Sequence, residues 1–217
     1  MEIKENIKEN PPMEKPQGTQ RIDIKTIKDE IEKKLKESKL GKLGIKKSEV
    51  VVVVIPDNTY STDIIDVIGE LAQDYSTICY VSLNKSYESL KKPLEEKKID
   101  IDKFLFLDAV AKTSKPDEEV NRIIINSVSA LTDLSIAITK AIENGRIGSL
   151  IFDSLSTMLI YHDDATVTKF VHDLISKTRE VNCTTVLTCL EGDAKSSLIK
   201  DLGMFVDKVI TTEKVAP

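Results

Sequence analysis

The fold is decided by the stretch Gly148-Ser-Leu-Ile-Phe-Asp-Ser-Leu-Ser-Thr-Met-Leu159. Its apolar part, Leu150-Ile-Phe152, has no polar break, which is typical of a strand buried on both faces in the middle of a parallel sheet. The chain turns polar immediately afterwards, at Asp153 and Ser154. In open α/β sheets, ligands bind beyond the carboxyl ends of the strands. Asp153 is therefore either part of a site at that edge or the first residue of an Asx turn, in which its carboxyl group accepts hydrogen bonds from the next backbone N–H groups.

Strand and helix patterns alternate on both sides of this stretch. Apolar runs predict further strands at residues 50–55, 76–82, 104–107, 122–125, 184–190 and 206–211. Helical spacing of apolar residues predicts helices at 63–75, 86–98, 130–144, 165–181 and 196–202, with Pro93 kinking or splitting the second. This alternation predicts an α/β fold, in which a parallel β-sheet core is flanked by helices on both faces.

Composition divides the chain into three parts. Residues 1–20 combine three prolines and one glycine with Glu, Lys, Asn and Gln and predict a flexible tail, since they can bury little apolar surface. Residues 21–47 predict an amphipathic helix and a basic linker, and residues 48–213 the folded domain. Between Lys33 and Lys47 there are seven lysines and one glutamate. This run either contacts an anionic partner or is a solvated helix face.

The overall composition argues against several classes of protein. A formal net charge of −5 disfavours binding of nucleic acid by bulk charge, although the local basic run leaves that alternative open. No apolar run approaches the roughly 20 residues of a membrane span, and the N-terminus lacks the apolar core of a secretory signal. Cys79, Cys183 and Cys189 have no CxxC spacing, so we expect buried thiols in a cytoplasmic protein.

The first strand does not lead into a phosphate-binding loop. A nucleotide-hydrolysing α/β domain carries G-x-x-x-x-G-K-[ST] at this point, where glycines let backbone N–H groups surround the phosphates and the lysine neutralises them. Here Ile55 is followed by Pro56-Asp-Asn-Thr-Tyr-Ser-Thr-Asp63, which contains neither glycine nor lysine. The negative charge of Asp63 suits a first-turn or capping residue of the next helix better than a phosphate site.

Two segments carry a resemblance to a known group of proteins. Leu150-Ile-Phe-Asp-Ser-Leu-Ser-Thr-Met-Leu159, taken with Val181-Asn-Cys-Thr-Thr-Val-Leu-Thr-Cys-Leu190, resembles the RecA/KaiC superfamily, and most of all its archaeal RadA-related, KaiC-like ATPases. Tyr80-Val-Ser-Leu-Asn-Lys-Ser86 is similar to the second strand of that family. The resemblance covers about Glu49 to Ile210 and implies a RecA-like, P-loop NTPase fold. Asp153 would be the counterpart of the Walker B aspartate.

The departures from the family pattern predict a pseudo-ATPase. In the KaiC-like ATPases the second strand ends in two glutamates that act on the attacking water, whereas the corresponding positions here are Asn84 and Lys85. The Walker A loop is also lost, and Mg²⁺ needs several oxygen ligands and usually the phosphates of its substrate. We therefore predict no catalytic residue, no metal ligand and no required cofactor.

The crevice at the strand ends stays a candidate binding site for ATP, ADP or another small anion. It would be formed by the loop after the first strand together with the ends of two later strands: Asp57, Asn58, Thr59, Tyr60, Ser61, Thr62, Asp153, Ser154 and Glu191. The loop supplies hydroxyl and amide donors and free N–H groups at a helix start. For Glu191, the alternative is an exposed loop carboxylate with no such role.

Four functions follow, in order of preference. The first is a regulatory or scaffolding protein that works through protein–protein contacts; the resemblance implies self-association or a related RecA/KaiC-like subunit as partner. The second is a sensor that binds a nucleotide or small anion without hydrolysis. The third is a DNA-associated accessory protein related to RadA, and the fourth is an active ATPase with a different phosphate grip.

Overall fold

The computed structural model describes residues 43–111, 121–145 and 147–212. The predicted tail and most of the predicted amphipathic helix and basic linker lie outside these ranges. Within them the chain forms seven strands: β1 (Val50–Ile55), β2 (Ile78–Ser82), β3 (Phe104–Asp108), β4 (Arg122–Ile124), β5 (Ser149–Asp153), β6 (Thr184–Leu190) and β7 (Lys208–Thr211). Six α-helices connect them: α1 (Tyr60–Asp74), α2 (Tyr87–Glu96), α3 (Leu131–Gly145), α4 (Leu155–Tyr161), α5 (Asp164–Glu180) and α6 (Ser197–Leu202).

The seven strands form one parallel sheet in the order β4-β3-β2-β5-β6-β1-β7. β5 is the middle strand, with Leu150 opposite Cys79 of β2 and Thr185 of β6. This confirms the α/β fold and the central place predicted for the strand that ends at Asp153. The carboxyl ends of all the strands lie at one edge of the sheet, because the strands are parallel.

The sheet is covered by apolar helices on both faces. Alternate side chains of β1 belong to opposite layers, Val50 and Val52 to one and Val51 and Val53 to the other. The first layer is completed by buried residues of α3, α4, α5 and α6, and the second by those of α1 and α2. An uninterrupted apolar run is what a strand buried on both faces requires. The first of these layers also contains all three cysteines as free, buried thiols.

The helix starts explain where the structure differs from the predicted boundaries. α1 begins at Tyr60, three residues before the predicted start, and Thr59 is its N-cap residue. α4 was not predicted at all; Ser154 caps it by accepting a hydrogen bond from the Thr157 N–H at 3.2 Å. Pro93 lies inside α2 without dividing it. These starts bring α1 and α4 to the carboxyl edge of the sheet.

Within the described ranges, no helix is long and apolar enough to cross a membrane.

Candidate functional site

The Asp153 carboxyl group lies at the end of the central strand and is completely buried, with 0% of the residue exposed. The Tyr60 hydroxyl donates a hydrogen bond to its Oδ1, and the Tyr80 hydroxyl donates one to its Oδ2. Thr188 Oγ1 lies 3.4 Å from Oδ1 and 3.2 Å from the Tyr60 hydroxyl. Both carboxyl oxygens are thus occupied by side chains of the protein.

Three elements position these partners around β5. Tyr60 is the first residue of α1, and its ring points inward, so that the residue is only 6% exposed. Tyr80 lies on β2, two residues before Ser82, the residue paired with Asp153. Side chains two residues apart on a strand share one face of the sheet, which brings the Tyr80 hydroxyl up to the carboxyl group. Thr188 lies on β6, the other neighbour of β5.

Burial raises the pKa of Asp153 above its ordinary value, because the charged form is removed from water. Hydrogen bonds from Tyr60, Tyr80 and Thr188 and the positive charge of Lys85 favour the charged form, but they do not cancel the effect of burial. Burial also raises the pKa of both tyrosines, and the nearby Asp153 raises them further. The two hydroxyl groups therefore stay protonated, as hydrogen-bond donors must.

Two roles were predicted for Asp153, a place in a site or a bond to the backbone of the next turn, and Ser154 takes the second. Ser154 is buried and acts as the cap of α4. The hydrogen bonds of the Asp153 carboxyl group go to side chains of α1, β2 and β6 and not to the backbone N–H groups of Leu155 and Ser156. The Asx-turn interpretation of Asp153 was wrong, because both oxygens of its carboxyl group are hydrogen-bonded to side chains of neighbouring elements.

The remaining candidate residues line the mouth of the crevice. Asp57, Asn58, Thr59, Ser61 and Thr62 are exposed in the loop and first turn before and within α1, and Glu191 is exposed just after β6. Asp57 Oδ1 accepts a hydrogen bond from the Gly192 N–H at 3.4 Å, which joins the two loops. The structure thus forms two groups, the closed cluster around Asp153 and an open rim above it.

The rim carries negative charge. Asp57, Asp63, Glu191 and Asp193 all lie on the two loops or the first turn of α1, close to the carboxyl edge of the sheet. The N–H groups of Thr62 and Asp63 both donate to the Thr59 carbonyl, and Asp63 accepts the Thr59 hydroxyl at 2.9 Å. Asp63 is a first-turn residue, as predicted. These carboxylates oppose an anion at the helix start, where the helix dipole alone would attract one.

Residues 80–212 match the sequence profile of a family of unknown function (DUF7504). The chain belongs to this family. Comparison with curated protein sequences gives no match. Among solved structures, the fold is similar to that of the KaiC-like protein PH0186 from the hyperthermophilic archaeon Pyrococcus horikoshii OT3, with a TM-score of 0.58 and 15% sequence identity. That similarity covers 80% of this chain and 76% of the other, and it confirms the RecA/KaiC-like fold.

The DUF7504 match begins at Tyr80 and includes Asp153 and Thr188. Tyr60 and the loop before it precede the matched residues. The cluster around Asp153 is therefore built from three residues inside the matched part and one outside it. No group of three or more His, Cys, Asp or Glu side chains is arranged to hold a metal ion among the residues that the structure describes.

This member of the DUF7504 family has a second buried carboxylate, Asp108, which was not predicted from the sequence. Asp108, at the end of β3, accepts hydrogen bonds from the backbone N–H groups of Tyr87, Val110 and Ala111 at 2.9–3.0 Å. Its Oδ2 also accepts Arg122 Nη2 at 2.7 Å, and the arginine side chain is only 7% exposed. With four donors, Asp108 joins β3, β4 and the start of α2, and its contacts are structural.

Tyr80 and Thr188 are the site residues that sequence reasoning missed. Each lies inside a strand, where a tyrosine or a threonine is an ordinary choice for a pleated surface. Their direction toward Asp153 depends on which strands are neighbours of β5, and the sequence does not state the strand order. The available signal was that Tyr80 and Ser82 are two residues apart and so lie on the same face of the strand. This indicates a contact with Asp153 only once β2 and β5 are known to be paired.

Proposed function

We propose that this chain is a non-catalytic KaiC-like domain, a pseudo-ATPase that acts as a regulatory or scaffolding protein through protein–protein contacts. The observation that carries the proposal is the closed cluster around Asp153, in which Tyr60 and Tyr80 occupy both carboxyl oxygens. A hard cation such as Mg²⁺ needs several oxygen ligands in a defined geometry, usually including phosphate oxygens of the substrate. Asp153 offers no free oxygen ligand to a cation in the crevice while Tyr60 is in place.

The end of β2 supports the same proposal. Asn84 and Lys85 follow this strand, at the positions where the KaiC-like ATPases would carry the two glutamates that act on the attacking water. The Ser82 hydroxyl donates to the Lys85 carbonyl, which holds this turn in a compact form. Because these glutamates are replaced and Asp153 is enclosed by Tyr60 and Tyr80, the two kinds of carboxylate that a KaiC-like ATPase would use are not available at their usual places in the part of the chain that the structure describes.

Contact with another protein is supported by exposed apolar side chains near the carboxyl edge. Ile160 and Tyr161, at the end of α4, are 77% and 53% exposed. Aromatic residues such as tyrosine are enriched at protein interfaces, whose centres are more apolar than the rest of the surface. The partner we propose is a second copy of this chain or a related RecA/KaiC-like subunit.

The proposal is tested by measuring ATP hydrolysis and molar mass in one preparation. Phosphate release by the full chain with Mg²⁺ and ATP should equal that of Asp153→Ala, and light scattering should show a mass that rises with concentration. Replacement of Ile160 by Asp should reduce this association, whereas Ile136→Asp, at an exposed position on α3, serves as the matched control. Hydrolysis above the Asp153→Ala level would overturn the pseudo-ATPase.

A ligand sensor is the second candidate, and the exposed polar side chains at the start of α1 favour it. Asn58, Ser61 and Thr62 present amide and hydroxyl groups to solvent there. The carboxylates of the rim would repel an anionic nucleotide, so we rank this candidate below the first. Calorimetric titration with ATP and ADP tests it: heat that disappears in Ser61→Ala would support the sensor, and the absence of heat and of a thermal shift at millimolar nucleotide would reject it.

A further inference from the structure

The Asp153 carboxyl group is buried without a cationic partner in hydrogen-bond contact. Tyr60 reaches it from α1, Tyr80 from β2 and Thr188 from β6, and all three are neutral hydroxyl groups. The positive charge that acts on Asp153 belongs to Lys85, on the segment after β2, and its Nζ makes no hydrogen bond to the carboxyl group. A buried carboxylate with only neutral donors is costly, and such groups take up a proton more readily than exposed ones do.

The hydrogen bonds of the cluster can be satisfied when Asp153 is charged. In that form, Tyr60 donates to Oδ1 and Tyr80 to Oδ2. The Thr188 hydroxyl has one proton, which it then donates either to the Phe152 carbonyl at 3.2 Å or to Asp153 Oδ1 at 3.4 Å. Each donor has an acceptor.

The same cluster can be satisfied when Asp153 is neutral. A proton on Oδ1 would be donated to the Tyr60 oxygen, and the Tyr60 hydroxyl would turn to Thr188 Oγ1, 3.2 Å away. Thr188 keeps its bond to the Phe152 carbonyl, and Tyr80 still donates to Oδ2. One hydroxyl rotation accommodates the added proton, so neither protonation state leaves a buried group without a partner.

We propose that the Asp153 cluster is a proton-binding site, in which a proton from solvent binds the carboxylate and Tyr60 reorients to receive it. Tyr60 is the first residue of α1, and the adjoining loop is joined to the β6–α6 loop through Asp57 and Gly192. Proton uptake therefore changes the hydrogen bonds of the residue that begins α1. The inference uses the closed crevice of the proposed function, but it does not depend on the absence of hydrolysis.

The site is tested by carbon NMR of the full chain with ¹³C-labelled aspartate, in which the Asp153 carboxyl signal is assigned through its connectivity to Phe152. The Asp153 signal should titrate at clearly higher pH than is ordinary for an exposed aspartate. Tyr60→Phe should move the midpoint higher still, because a donor to the charged form is lost. Titration of Asp153 together with the exposed aspartates would overturn the proposal.

Two lysine variants keep the test independent of any damage to the cluster. Lys85→Met should raise the Asp153 midpoint, because a positive charge that favours the carboxylate is removed. Lys92→Met, at an exposed position on α2, should leave it unchanged. Equal midpoints in the two variants would contradict the electrostatic account. Phosphate release measured on the same samples separates the outcomes, since ATP hydrolysis would overturn the pseudo-ATPase and leave the proton site standing.

Discussion

At the scale of single residues, Tyr60 has the largest consequence for the site. It stands in the first turn of α1, where the KaiC-like ATPases would carry part of a phosphate-binding loop, and its hydroxyl group contacts both Asp153 and Thr188. A small or flexible residue here would leave the carboxyl group open to water. The tyrosine converts a position at the mouth of a crevice into part of the core.

We expect Tyr60→Phe to destabilise the domain by about 1–3 kcal/mol, because it leaves a buried acceptor short of a hydrogen-bond donor. Urea unfolding followed by circular dichroism measures the change. Tyr161→Phe is the matched control: that residue is half exposed, so the same chemical change should cost less than about 0.5 kcal/mol. Equal effects at the two positions would mean that the Tyr60 hydroxyl contributes nothing specific.

At the scale of secondary-structure elements, the start of β5 depends on one close contact. A Cβ atom on Gly148 would lie 2.7 Å from Cδ1 of Tyr75, and the Tyr75 hydroxyl is itself held by Thr184 on β6. A side chain at position 148 must push this ring away from the place where β5 and β6 begin.

Gly148→Ala should therefore destabilise the domain by about 1–3 kcal/mol through overpacking. Gly69→Ala, in the middle of α1, should instead stabilise the domain. There the new Cβ meets only the flexible end of Ile99 at 3.3 Å, and alanine gains up to about 1 kcal/mol in helix propensity. Thermal unfolding of both variants checks the pair, and a neutral Gly148→Ala would show that Tyr75 can move freely.

The junction of β3 and β4 depends on the buried pair Asp108–Arg122. Asp108→Ala should cost about 3–5 kcal/mol, since it leaves a buried guanidinium group without its main partner. Glu88→Ala removes the other carboxylate bound to the same arginine, but that side chain is 66% exposed and should cost less than about 1 kcal/mol. The free energies of unfolding of the two variants test this difference. Similar values would mean that burial of the Asp108–Arg122 pair is not the cause of the destabilisation.

Elements proved easier to predict than side-chain directions. β1 and β6 were predicted with their observed bounds, because long apolar runs rich in valine and threonine are distinctive. α4 was missed because it has only seven residues and is separated from β5 by a single residue, Ser154. Its available signal was Ser154 followed by apolar residues at helical spacing.

The candidate site was predicted only in part. Its location at the carboxyl edge follows from the parallel sheet, but the inward direction of Tyr60 follows from a helix that begins three residues early. The strand order, which places Tyr80 and Thr188 beside Asp153, is set by packing of the whole sheet and has no local signal.

At the scale of the whole molecule, the raised pKa of Asp153 links stability to pH. Below about pH 4 the group is protonated in both the folded and the unfolded chain and imposes no cost. As the pH rises, the unfolded chain ionises first, so this contribution to stability falls until the pH passes the folded pKa. The direction is opposite to that of an aspartate with a lowered pKa, such as Asp163.

Asp153→Asn should remove this dependence. The free energy of unfolding of the natural chain minus that of the variant should decrease as the pH is raised from about 4 toward neutrality, and then level off. Urea unfolding at several pH values measures the difference, in which the contributions of the other carboxylates cancel. A difference that increases with pH would mean that the folded pKa is lowered.

The strand order also has a consequence for the chain as it leaves the ribosome. β1 is made before both of its neighbours in the sheet, β6 and β7, and four other strands in the described ranges are made in between. Until they emerge, Val50–Ile55 has two unpaired edges and no charge to discourage contact with other nascent chains, a combination that favours aggregation. Assembly of the sheet around β1 must therefore await translation of β7, and in that interval the unpaired strand is open to contact with other chains.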